Sequence, residues 1–223
     1  MPLTWTRNRV GLSENTDVKS LSASAVILAG GHGKRFGSYK ALSKVSGRTL
    51  LEHLESRLEG FYGEILIITG SETQRRQVLE HVGQMRIITD QVTEVGPLGG
   101  ILTGISHTKC EYCQILPVDS PIPNLEVLQR LLTYARGFDG AVPIWKDGRM
   151  EPLHGVYRAR AARKEAERLI EEGTHSALSL AQSLANIRYV DIDELQELDP
   201  DLDTFANINT RDDLEKMLGK LKR

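Results

Sequence analysis

Four short stretches of this chain carry residue types suited to binding and moving phosphate. The first is Leu28-Ala29-Gly30-Gly31-His32-Gly33-Lys34-Arg35-Phe36-Gly37, which leaves an apolar run and enters a glycine-rich loop. Glycine lets backbone N–H groups approach a phosphate closely, and Lys34, Arg35 and Lys40 supply positive charge beside them. The competing reading is a solvated basic turn. Two familiar motifs are excluded. In a P-loop, Ser or Thr follows the lysine, and here Arg35 follows Gly33-Lys34. In a dinucleotide fingerprint, glycine stands where Phe36 stands. The acidic residues about twenty positions further on, Glu52 and Glu55, fall on a helical pattern instead of a strand end.

The second stretch is Asp90 followed by Gly96-Pro97-Leu98-Gly99-Gly100-Ile101. Glycine on both sides of Leu98 predicts close backbone approach, here to a flat ring, and the Asp90 carboxylate matches the adjacent N–H donors of a guanine edge. The alternative is a tight strand-to-helix turn that needs glycine sterically. The third is Leu116-Pro117-Val118-Asp119-Ser120-Pro121. A carboxylate directly after an apolar strand is placed to hold Mg2+, a hard cation that takes few protein oxygens. A helix N-cap is the equally weighted alternative. The fourth is Phe205-Ala206-Asn207-Ile208-Asn209-Thr210, leading into Arg211-Asp212-Asp213-Leu214. It reads either as a helix cap or as the source of an amide oxygen for the metal.

Apolar runs alternating with helical patterns must position these stretches. Strands are expected at 25–28, 65–68, 85–88 and 112–116. Leu50, Leu51, Leu54 and Leu58 mark one helical face, 74–80 is a second helix, a third starts near Leu98, and Leu125, Leu128 and Leu132 mark a fourth. Continuous apolar strands separated by helices predict a mostly parallel sheet covered on both faces. Beyond Ala141 the alternation is irregular, with strands at 153–157 and 187–190 and helices at 159–172, 177–184 and 211–221. The expectation is a loose leader over 1–22 and one α/β domain over 23–223.

The 223 residues carry a formal net charge of −2, so there is no basic excess to favour nucleic acid. No apolar run reaches the length of a membrane span. Residues 1–22 lack the apolar core of a secretion signal. The cysteines, Cys110 and Cys113, form a C-x-x-C downstream of His107. So few fit a reducing, cytoplasmic compartment, and they are expected to be ordinary buried or edge thiols.

Taken together and in order, the stretches resemble the molybdenum cofactor guanylyltransferase family. The first matches its L-A-G-G…R-F/M-G-x-x-K-A-L pattern, with Lys40-Ala41-Leu42 closing it. Asp90 with Gly96-Pro97-Leu98-Gly99-Gly100-Ile101, the 116–121 segment, and the 207–214 segment match the family's later motifs. Glu151-Pro152-Leu153 and Val156-Tyr157 look like its E-P-L-x-x-V-Y strand. The resemblance spans about 24–218, with Gly33, Tyr39, Val118 and Arg211 as departures. It implies a Rossmann-like nucleotidyltransferase fold, three-layered α/β/α, with GTP across the strand ends and Mg2+ as its cofactor.

Leu28, Ala29, Gly30, Gly31, Lys40, Asp90, Gly96, Pro97, Leu98, Gly99 and Asp119 would contact the nucleotide. Arg35, Lys40 and Asp119 would serve catalysis. Asp119 would bind the metal, with Asn209 as a second ligand. The implied acceptor is a molybdopterin-type phosphate, and molybdoenzymes or cofactor carriers are possible recipients of the product. Lys146, Arg149 and Arg158 are offered to the anionic acceptor, although solvated surface is the commoner fate of such residues. An acceptor phosphate is already anionic, so alignment and charge neutralisation suffice without a general base. Two alternatives stay open: a relative with another base or acceptor, such as a cytidylyltransferase, and a non-catalytic nucleotide- or cofactor-binding protein on the same fold.

Overall fold

The computed structural model describes residues 23–31, 39–83, 85–92 and 95–208, with 210, 212, 213 and 219 beyond them. The proposed leader over 1–22, Arg35 and Asn209 lie outside the described residues. So does most of the expected 211–221 helix, although Asp212 and Asp213 are helical. There the Thr210 Oγ1 accepts the Asp213 N–H at 3.1 Å, and Asp213 Oδ2 accepts the Thr210 N–H at 2.8 Å. That reciprocal pair is the cap the sequence predicts.

A seven-stranded sheet forms the middle layer. Its strands are β1 (Ala23–Leu28), β4 (Glu64–Thr69), β5 (Arg86–Thr89), β6 (Tyr112–Pro117), β7 (Gly140–Ile144), β8 (Val156–Arg158) and β9 (Ile187–Asp191), in the order β5-β4-β1-β6-β8-β7-β9. Only β8 runs against its neighbours. The short β2 (Lys44–Val45) and β3 (Arg48–Thr49) form a separate hairpin. The helices α1 (Leu50–Leu58), α2 (Glu72–Leu79), α4 (Leu125–Ala135) and α7 (Ile192–Gln196) cover one face, and α3 (Gly96–His107), α5 (Ala159–Glu171) and α6 (Ala177–Ser183) cover the other. Along β1, Ala25 and Ile27 enter the first core and Val26 the second, which is the period-two alternation of a sheet buried on both sides. This is the α/β layering that the sequence predicts. Among the described residues no helix is long and apolar enough to cross a membrane.

The α1 stripe behaves as its spacing requires, with all four leucines buried. Thr49 and Glu52 form a capping box at its start, so Glu52 is occupied in holding the helix. The second half departs from expectation in two places. The expected strand at 153–157 is a short 3-10 turn, Pro152–His154, followed by β8. The turn opens with Pro152, which has no N–H for a ladder. The sequence also did not single out β7, whose Gly140 and Pro143 argue against a central strand. Proline is tolerated there because β8 pairs with β7 only at Gly140 and Ala141. Beyond them, the Pro143 carbonyl accepts the Glu151 N–H at 2.9 Å.

Candidate functional site

The chain leaves β1 in one direction through β4 and β5, then crosses back to place β6 on the other side of β1. Their carboxyl ends therefore flank a topological switch point, where open α/β sheets take ligands. The two exits are tied together. Val118 N–H donates to the Leu28 carbonyl at 3.2 Å, and Ala29 N–H donates to Ile68 O at 2.8 Å. Gly30 passes so close to Gly70 that a Cβ on Gly70 would sit 2.9 Å from Gly30 O. Gly70 is a requirement the sequence reading missed, although a glycine closing an apolar strand was its signal. Gly31 is exposed, and among the described residues nothing lies within 4 Å of its Cβ position.

The far end of the first loop returns to the same point. The Tyr39 hydroxyl donates to Ala29 O, and burial pushes that phenol well above its ordinary pKa. Lys40 opens the 3-10 turn Lys40–Leu42 and pairs with Asp119 Oδ2 at 2.8 Å. Two charged residues 79 positions apart thus meet between the exits of β1 and β6. Tyr39, a departure from the family pattern, has a physical task here as a staple across the loop.

Asp119 is held through its backbone, where its carbonyl accepts the Ile208 N–H at 2.9 Å. Its Oδ1 takes no hydrogen bond among the described residues. Nor do the described residues assemble three or more His, Cys, Asp or Glu side chains in a metal-binding group. One carboxylate with an open oxygen fits Mg2+, which is commonly held by one or two carboxylates and completed by phosphate and water.

Beneath Asp119 lies a polar cluster that the sequence reading missed. Ser120 Oγ is 3.2 Å from His154 Nε2, 3.3 Å from Ala206 O and 3.4 Å from Asn207 Oδ1. The His154 ring meets Phe205 edge-on, with centroids 5.2 Å apart. Burial pushes the imidazole down to about 4, against the upward pull of the Asp119 charge. His154 carried no sequence signal, because its partners Ser120 and Phe205 come from two distant segments.

Asp90 directly follows β5, three strands from β6, or about 14 Å at ordinary strand spacing. Its Oδ1 accepts from Thr103 Oγ1 at 2.6 Å and from Val92 N–H at 3.1 Å. Leu98 is wholly buried. A Cβ on Gly99 would lie 2.7 Å from Val92 O. The close approach expected of a flat ring beside Leu98 is therefore made by the protein's own backbone, which accounts for Gly99 by the tight-turn alternative. Gly96 and Pro97 are exposed at the start of α3.

On the other side of Asp119 a cavity of about 400 Å³ opens between the β6 exit and the 151–154 turn. The cations offered to an anionic acceptor do not converge there. Lys146 pairs with Asp193 at 2.6 Å. Arg149 lies over the Trp145 ring, 4.4 Å from its centroid. Arg158 pairs with Glu111 at 2.8 Å and is opposite Tyr112, at the amino end of β6 away from the site. Cys113 is buried in β6, accepts a hydrogen bond from Ser24 Oγ, and has a thiol pushed up to about 12 by burial. That is an ordinary structural thiol.

The MobA-like NTP transferase domain family matches residues 25–187 of this chain. A protein of Methanosarcina mazei named "Probable molybdenum cofactor guanylyltransferase" is 33% identical over 216 residues, covering 94% of this chain and 96% of that protein. The crystal structure of molybdopterin-guanine dinucleotide biosynthesis protein A from Archaeoglobus fulgidus superposes with a TM-score of 0.76 at 28% identity, covering 90% of this chain and 98% of that one. A 4-diphosphocytidyl-2C-methyl-D-erythritolsynthase from Anaerococcus prevotii has a TM-score of 0.65 at 15% identity over 94% of this chain and 100% of its own, a likeness of fold alone.

Proposed function

The chain belongs to the MobA-like NTP transferase family and is a nucleotidyltransferase of molybdenum cofactor biosynthesis, and from that premise we propose that it transfers GMP from GTP to the terminal phosphate of a molybdopterin-type acceptor. An acceptor phosphate oxygen attacks the α-phosphorus of GTP. The new phosphoanhydride bond forms as the bond to the bridging oxygen of the β-phosphate breaks, and pyrophosphate leaves. The nucleophile is anionic at the outset, so no protein base has to remove a proton. The work left to the protein is alignment and charge neutralisation.

The observation that carries this reading is the Lys40–Asp119 pair at the switch point. It supports a site where a cation and a metal-holding carboxylate flank one phosphate chain. Asp119, together with Asn209, would hold Mg2+, which when bound offsets charge on the triphosphate. The backbone of Gly30 and Gly31 approaches the phosphates. Lys40 and Arg35 neutralise the departing pyrophosphate. Asp90, Gly96 and Pro97 border the nucleoside end, Leu98 and Gly99 pack beneath them instead of touching the ring, and Leu28 and Ala29 fix the floor. The cytoplasm is the compartment for such a reaction on soluble nucleotides.

Calorimetric titration with GTP, CTP, ATP and UTP in the presence of Mg2+ tests the reading. Binding of GTP well above the others is expected. Preference for CTP would move the base and acceptor elsewhere, and absence of binding to any triphosphate would overturn the proposal.

A further inference from the structure

Asp119 lies in a turn that leaves the sheet after β6, and its backbone is held from two sides. Ser120 N–H donates to Pro117 O at 3.1 Å and closes the turn, while the Asp119 carbonyl accepts from Ile208 N–H at 2.9 Å. Ile208 belongs to a stretch, 206–208, with no regular secondary structure. Turn and stretch lean on each other, so the position of the Asp119 carboxylate depends on what ties both to the sheet.

Ser120 is the junction. It is buried, and its hydroxyl carries one proton. Ala206 O, 3.3 Å away, is a carbonyl and can only accept, so the proton is committed to the 206–207 side, where Asn207 Oδ1 stands at 3.4 Å. The lone pairs of the hydroxyl oxygen are left for His154 Nε2 at 3.2 Å, which must arrive as an N–H. Burial keeps this imidazole neutral at ordinary pH, so it has a single proton to place, and the Ser120 bond assigns that proton to Nε2. Nδ1 makes no hydrogen bond among the described residues, as fits a nitrogen without a proton.

His154 is itself set by the sheet. Its backbone N–H donates to Glu151 O at 3.0 Å, and the carbonyl of the next residue, Gly155, accepts from Ile115 N–H at 2.9 Å. Directly after it, β8 pairs with β6. Phe205 packs edge-on against the ring. The imidazole is a strut with its base on the central sheet and its Nε2–H on the loop that carries Asp119.

We propose that His154 is a positioning residue for the transfer reaction, whose Nε2–H bond to Ser120 holds the Asp119 turn and the 206–208 stretch in the arrangement where the Asp119 carboxylate serves both Lys40 and the metal. The inference rests on the metal-holding role given to Asp119 above and adds the group that sets it. His154 touches no reacting atom. Partners of this kind, one bond behind a metal-holding carboxylate, fix its orientation and raise its affinity for the ion.

The test uses the full chain with Mn2+ in place of Mg2+, since carboxylate ligands accept either. Mn2+ binding is followed by electron paramagnetic resonance with a non-hydrolysable GTP analogue present. His154→Leu removes the donor and keeps an apolar filling against Phe205. The Mn2+ dissociation constant should rise about tenfold, the scale of one buried hydrogen bond, while affinity for the analogue in EDTA is unchanged. His154→Gln offers an amide N–H near the place of Nε2 and should bring Mn2+ binding back toward the parent value, a rescue that a space-filling role does not require. Ser120→Ala removes the same bond from the loop side and should raise the constant at least as much; it decides the matter if the leucine variant does not fold. Unchanged Mn2+ binding in these variants, or no recovery with glutamine, overturns the inference. So does an equal loss of metal-free nucleotide affinity, which would make His154 a support of the fold at large. A parent protein that binds the analogue but no Mn2+ would instead overturn the metal-holding role of Asp119, and one that binds neither would overturn the nucleotide reading.

Discussion

On the β4-β1 side of Asp119, the chain leaves the sheet through glycine. Gly30 crosses Gly70 with backbone against backbone, and Gly99 closes on Val92 O. On the β8-β7 side the exits carry side chains instead. Trp145, Glu151, His154 and Phe205 hold one another by hydrogen bonds and ring contacts. The first arrangement presents backbone dipoles, which suit phosphates of any nucleotide. The second presents a wall of side chains with one oriented carboxylate. One edge of a single sheet thus joins a backbone-built half to a side-chain-built half, and Asp119 stands at the border of the two.

Breaking the border should cost most. Asp119→Ala is expected to lower turnover about a thousandfold, the scale of losing a preorganised charge-stabilising group. Melting curves should stay near those of the parent, because the Asp119 carbonyl bond to Ile208 survives the substitution. Retained turnover would remove Asp119 from the mechanism.

The side-chain half should show itself through pH. His154 has a folded pKa near 4 against 6.5 in the unfolded chain. The unfolded state therefore binds more protons between those values. Stability from this group is complete above about 6.5, falls as pH drops through that window, and levels off below 4. The loss amounts to roughly 3 kcal/mol at most. Urea unfolding followed from pH 7.5 to 4.5 should show that slope, and His154→Gln should flatten it. An unchanged slope in the variant would assign the acid sensitivity to other groups.

The backbone half is sharpened by two glycines of opposite circumstance. Gly99→Ala forces a Cβ to 2.7 Å from Val92 O and should destabilise by about 2 kcal/mol, within the range of overpacked sites. Gly31→Ala meets no described residue within 4 Å, so its midpoint should hardly move while GTP affinity falls several-fold by steric exclusion at the phosphates. Equal stability effects at the two positions would erase the distinction between packing glycine and ligand-facing glycine.

The apolar runs from Ala25 to Leu132 were legible because a strand buried on both faces cannot avoid being continuously hydrophobic, and α1 because four leucines at helical spacing have one common face. The order of the four motifs was enough to indicate the family. Local pattern alone did not reveal β7, where Pro143 is tolerated only because β8 stops short. Nor did it show that Gly99 packs on the chain's own Val92 carbonyl.

What the sequence by itself determined is the alternation of strands and helices, the glycine-rich exits, and the residue types available for phosphate chemistry, since these follow from side-chain period and composition within a few residues. Only the tertiary structure decided that Lys40 meets Asp119, that Ile208 ties to the Asp119 carbonyl, and that Ser120 and Phe205 meet His154. Those contacts depend on strand order and on the antiparallel insertion of β8, and a pairing between residues far apart in the chain leaves no local periodicity to read.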